Sequence, residues 1–84
     1  MAESDQAAGK AFPLVMAREG DRVRIVDLRG GGAFVRRLTE LGLNVGAELV
    51  VSQLQGENLV LIRGDMRLGL GMGASRRIMV MPLG

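Results

Sequence analysis

Four hydroxyls and nine carboxylates make up nearly all that this chain of 84 residues offers for acid, base or nucleophilic chemistry. The hydroxyls are Ser4, Thr39, Ser52 and Ser75. A hydroxyl is a weak nucleophile until an adjacent base takes its proton. The usual base is imidazole, and the chain has no histidine; cysteine, tyrosine and tryptophan are absent as well. Carboxylate pairs could share acid and base work. Glu19 with Asp21 and Glu57 with Asp65, however, stand beside Gly20, Gly56 and Gly64, and acids in such turns act as solvated capping groups. No catalytic residue is expected, and the chain reads as a non-enzyme.

Metal chemistry is equally restricted. Divalent transition metals are held by imidazole, thiolate or carboxylate, so only carboxylates and the thioethers of Met1, Met16, Met66, Met72, Met79 and Met81 remain. Met79 and Met81 alternate with Ile78 and Val80, so one face of that segment is expected to be apolar and half exposed. Methionine is a flexible filler, suited to a core with only two aromatic residues, Phe12 and Phe34. Neither a metal site nor a cofactor is expected. Gly30-Gly31-Gly32 before a helix could suggest a phosphate cradle, yet no G-K-[ST] and no G-x-G-x-x-G after a parallel strand is present. Gly69, Gly71 and Gly73 alternate as in a bent strand.

The remaining candidates for function sit on one short helix and must be positioned by it. At about 100° per residue, Phe34, Leu38 and Leu41 share a stripe with Val35 at its edge. Arg36, Thr39 and Glu40 take the opposite face, and Arg37 flanks the stripe with its stem packed and its head wet. An Arg36–Glu40 pair is expected across one turn. Gly42 can adopt the left-handed conformation that closes a helix, with Leu43 making the apolar contact that accompanies such a cap. Asn44-Val45-Gly46 reads as a turn. So short a helix is unstable alone and must dock on a sheet. Its arginines fall in its first turns, where the helix dipole disfavours positive charge, which points to a use in binding.

The flanking sequence is strand material. Arg22–Leu28 alternates, with Val23 and Ile25 on one face. Glu48–Leu54, Leu59–Arg63, Met66–Leu70 and Arg76–Met81 read as four more strands, joined by turns at Gln55–Asn58 and Gly64-Asp65 and by a corner at Gly71–Ser75. Pro13–Ala17 is one turn of helix or an extended lead-in. About five antiparallel strands and one short helix between strands 1 and 2 make a mainly β chain, a small bent barrel, which would also remove exposed sheet edges. Residues 1–11 are expected to be a disordered tail and residues 12–84 the barrel domain. The core is assigned to Val23, Ile25, Phe34, Leu38, Leu41, Leu68, Ile78 and Val80. Eleven basic residues against nine acidic ones give a net charge of +2, too mixed along the chain for a nucleic-acid-binding tail. No apolar run reaches the length of a membrane span, and the start lacks a signal-peptide core. A cytoplasmic protein is expected.

The order Pro13-Leu14, Gly20, Val23/Ile25, Arg37-Leu38-x-x-Leu41-Gly42-Leu43-x-x-Gly46, Gly64-x-x-Arg67-Leu68-x-Leu70, Ala74, Ile78-x-Val80 resembles the FeoA family of ferrous-iron transport accessory proteins. The likeness runs from about Pro13 to Pro82. It implies an SH3-like barrel and action with a membrane-embedded, GTP-hydrolysing ferrous-iron transporter of the FeoB type, on its cytoplasmic side. The same domain type also occurs in iron- and manganese-dependent repressors, but no helix-turn-helix pattern precedes it in this sequence. Gly69 and Gly73 depart from the family pattern, which implies a looser fourth strand and corner.

A binding module is what remains, and two partner classes compete. Gly20-Asp21-Arg22-Val23-Arg24-Ile25 resembles the opening of a KOW-type RNA-binding module, but stacking aromatics are missing and the charge is modest. A metal-responsive regulatory module is a further alternative. A protein partner, the transporter's cytosolic part, is favoured, with Arg36, Arg37 and Glu40 as the contact face and Leu43 and Met72 as apolar anchors. Recruitment to the inner membrane would then come through the transporter, not by insertion. Self-association through an apolar strand such as Ile78–Met81 is a further expectation.

Overall fold

The computed structural model describes residues 10–83. The expected tail lies outside the described residues as far as residue 9; Lys10 and Ala11 carry no regular structure. The described residues form six strands: β1 (Phe12–Pro13), β2 (Arg22–Leu28), β3 (Glu48–Gln55), β4 (Asn58–Arg63), β5 (Met66–Gly71) and β6 (Ile78–Pro82). A 3-10 turn covers Leu14–Met16, helix α1 covers Gly32–Glu40, and the one-turn helix α2 covers Met72–Ser75. All strands belong to one antiparallel sheet in the order β1-β6-β2-β3-β4-β5. The strand beyond the expected five is β1, whose Phe12 and Pro13 pair with Val80 and Met79. Proline lacks an N–H for the ladder and is confined to edge strands and strand ends, and β1 is an edge strand. Pro13–Ala17 is thus both an extended lead-in and a helical turn.

Alternation builds the strands and two bulges redirect them. Val23 and Ile25 point into the core from β2 while Arg22 and Arg24 stay exposed. Between Ile25 and Asp27 the register with β6 shifts, so Val26 is an extra residue. The bulge reverses parity, which turns Asp27 outward and lets Leu28 pack against the core. A second shift, between Val51 and Gln53 of β3, leaves Ser52 as the extra residue. The two hairpins β3–β4 and β4–β5 close with the two-residue loops Gly56-Glu57 and Gly64-Asp65. In each the glycine comes first and has positive φ, +62° and +60°, the residue preference of a type II′ turn, whose twist matches that of the strands.

The sheet curls around Leu14, Val23, Ile25, Leu38, Leu43, Leu49, Val51, Leu59, Leu61, Leu70, Ile78 and Val80, which form one buried cluster. Leu68 and Phe34 are partly buried against it. β1 and β5 end the sheet without pairing to each other, so the expected loss of all edges is not what the chain achieves. Instead α2 packs against β4, β5 and the 3-10 turn, standing at the seam. Its Ser75 is fully buried, and the hydroxyl donates to the Gly71 carbonyl at 2.9 Å. Met79 is 9% exposed and Met81 half-buried, so the Ile78–Met81 segment lacks the half-exposed face its alternation suggests.

Candidate partner-binding groove

Helix α1 begins at Gly32, two residues before its apolar stripe, and ends in a complete Schellman cap. Leu41 is the last residue near helical geometry, and Gly42 follows at φ +83°. The Gly42 N–H donates to the Thr39 carbonyl at 2.9 Å and the Leu43 N–H to the Leu38 carbonyl at 2.8 Å. These are the paired bonds that satisfy the terminal carbonyls in this motif. The apolar contact of the motif falls to Leu38 and Leu43, which are 2% and 0% exposed. The guanidinium of Arg63 lies over Gly42, and a Cβ there would meet its Nη1 at 3.2 Å. A cation thus stands at the negative end of the helix.

This cap moves two of the candidate residues. Leu41 is not core but 40% exposed: the chain reverses immediately after it, and Leu43 enters the core in its place. Leu43, for the same reason, cannot be a surface anchor. Met72 is half-buried and packs against the core, so it offers no free apolar knob. The dipole argument also changes. With the helix starting at Gly32, Arg37 belongs to its last turn, where positive charge is favoured. Its placement therefore carries no hint of function.

Arg36, Arg37 and Glu40 are exposed, and the expected Arg36–Glu40 pair does not form. The ion pairs of the described residues join Arg24 to Glu48 at 2.9 Å and Arg29 to Asp27 at 3.2 Å. Both are exposed pairs of the kind worth a few tenths of a kcal/mol. Arg36, Arg37 and Glu40 instead line a shallow groove of about 360 Å³ with Ala33, Phe34 and Arg77. Ala33, Arg37 and Glu40 share one helix face by their spacing of four and three. Arg77 enters from the segment between α2 and β6, fixed there by its own N–H donating to Ala74 (2.9 Å) and its carbonyl accepting from the Arg29 N–H (2.7 Å). Its guanidinium lies 5.5 Å from the centre of the Phe34 ring, a cation–π distance. On the other element, Gly30 leaves room for the ring: a Cβ there would stand 2.5 Å from Phe34 Cδ2.

Phe34, Gly30 and Arg77 were not among the expected contact residues. The Arg76-Arg77 doublet was visible, but it reads as the start of a strand that in fact begins at Ile78. Two of the hydroxyls serve structure: Thr39 donates to the Val35 carbonyl at 2.8 Å, and the buried Ser75 donates to Gly71. Asp21 caps its turn by accepting from the Arg18 N–H at 2.8 Å.

The model of the FeoA domain matches residues 12–82. The chain belongs to the FeoA domain family. Its FeoA domain is 29% identical over 69 residues to a protein of Methanocaldococcus jannaschii named as an Fe(2+) transport protein A, spanning 82% of this chain and 84% of that protein. The crystal structure of an iron uptake regulatory protein (FeoA) superposes with a TM-score of 0.81 at 28% identity, covering 88% of this chain and all of that one. The fold is therefore the SH3-like, mainly β one. A manganese-dependent transcriptional repressor contains the same fold at a TM-score of 0.79 and 20% identity, with 87% of this chain matched to 42% of that one. That last likeness is one of fold alone.

Proposed function

We propose that this chain is a non-enzymatic accessory protein of ferrous-iron uptake that binds the cytoplasmic part of a FeoB-type, GTP-dependent transporter. The observation that carries the reading is the FeoA match across residues 12–82. The M. jannaschii relative, named for Fe(2+) transport, agrees with it. The chemistry of the chain supports a binding role: the Thr39 and Ser75 hydroxyls donate to backbone carbonyls, and Arg36 and Arg37 are exposed beside a groove. No helix of the described residues is long and apolar enough to cross a membrane, so the transporter itself brings the chain to the membrane in this reading. Capture of the transporter's cytoplasmic part by the immobilised chain, with no capture of RNA, is the expected result. The reverse pattern would refute the proposal.

The chain serves iron uptake without holding iron itself. Among the described residues no group of three or more His, Cys, Asp or Glu is arranged to hold a metal ion. Calorimetric titration with Fe(II), or with Mn(II) as an air-stable substitute, should give no stoichiometric heat; binding at micromolar concentration would contradict this.

A further inference from the structure

Among the described residues, the groove beside α1 carries more positive charge than negative. Arg36, Arg37 and Arg77 line it against one carboxylate, Glu40. No described carboxylate pairs with any of the three, since the ion pairs of the described residues use Arg24 and Arg29. The start of the helix adds to the field, because Gly31 offers no side-chain cap and the first turn has no acid. Three other grooves among the described residues carry one arginine each. The floor here is apolar, made by Ala33 and Phe34.

We propose that this groove is the docking site for an extended acidic segment of a protein partner. Its carboxylates take the guanidinium groups of Arg36, Arg37 and Arg77, and an apolar side chain rests on Ala33 and the edge of Phe34. The proposal rests on the reading of the chain as a transporter partner and adds the chemistry of the segment that it accepts. Planar guanidinium forks match carboxylates in two-point contacts. Single-stranded nucleic acid fits less well, because stacking needs a bare aromatic face and Phe34 is half-buried with Arg77 over its ring. An anionic membrane surface fits less well too. Such binding uses apolar side chains that dip into the lipid, and none of the exposed large ones (Met16, Leu41, Val45, Leu54, Met66) lines the groove.

The test uses the full chain and a short fluorescent peptide of glutamates around one leucine, followed by polarisation. Binding should weaken as salt rises. It should fall about tenfold or more in Arg36→Glu and in Arg77→Glu, fall by less in Arg77→Lys, which keeps the charge but loses the planar fork, and not change in Arg67→Glu, an exposed position on β5. Thermal midpoints of the variants confirm folding. Peptide binding indifferent to Arg36→Glu and Arg77→Glu would overturn the proposal, as would tighter binding of a single-stranded oligonucleotide or of phosphatidylglycerol vesicles than of the peptide. The transporter separates the two readings. Its undiminished capture by the Arg36→Glu/Arg77→Glu variant overturns the groove and leaves the accessory role standing. Peptide bound in the groove with no capture of the transporter by the unaltered chain overturns the accessory role alone.

Discussion

The ring of Phe34 lies between a glycine that leaves room for it and an arginine that sits over it, so Gly30, Phe34 and Arg77 hold one another in place. A methyl group at Gly30 cannot fit without moving the ring. Gly30→Ala should therefore cost about 1–3 kcal/mol, the range for an overpacked site, and should shift the ring resonances of Phe34; unchanged spectra and unfolding midpoint would count against this packing. Leu38 and Leu41 make a sharper pair. Leu38 is 2% exposed and Leu41 40%, although both fall on one helical stripe. Leu38→Ala should lose about 2–5 kcal/mol by chemical denaturation, whereas Leu41→Ala should lose less than about 1 kcal/mol. Equal losses would mean that the chain reversal at Gly42 is misplaced. The stripe was legible from periodicity, but which leucine closes it depends on where the cap falls, and periodicity does not say that.

Helix α1 owes its ending to Gly42, whose φ of +83° is strained for any residue with a Cβ. Gly42→Ala combines that strain with a 3.2 Å approach to the Arg63 guanidinium. A loss of about 1–2 kcal/mol is expected, read as a lowered denaturation midpoint; no loss would contradict the cap. The glycine and the leucine after it announce this cap in sequence, because its hydrogen bonds are all local. The hairpins are legible for the same reason, through Gly56 and Gly64. The bulges at Val26 and Ser52 are not. A bulge is set by how two strands pair, β2 with the distant β6 at Val26 and β3 with its hairpin partner β4 at Ser52, and only the parity change from Ile25 to Leu28 hints at the first one. β1 is hidden similarly: two residues form a strand because β6 is there to receive them.

The fold brings together what the chain keeps apart, and that explains which parts of the candidate site could be read in advance. Arg36, Arg37 and Glu40 are neighbours along one helix and were visible as a face. Arg77 joins them only because the chain between α2 and β6 hydrogen-bonds to Arg29 just ahead of the helix. A domain of this size draws only about 3–5 kcal/mol of stability from its core, so the exposed arginines, not the leucines beneath them, are the safe place to probe function. The most direct measurement is capture of the transporter's cytoplasmic part by the folded chain, before and after charge reversal of Arg36 and Arg37 together. The account predicts a chain that still folds, its thermal midpoint lowered by about a few degrees through the lost positive charge at the helix C-terminus, with binding weakened tenfold or more, about 1.4 kcal/mol or greater. Full-strength capture by a folded double variant would contradict it.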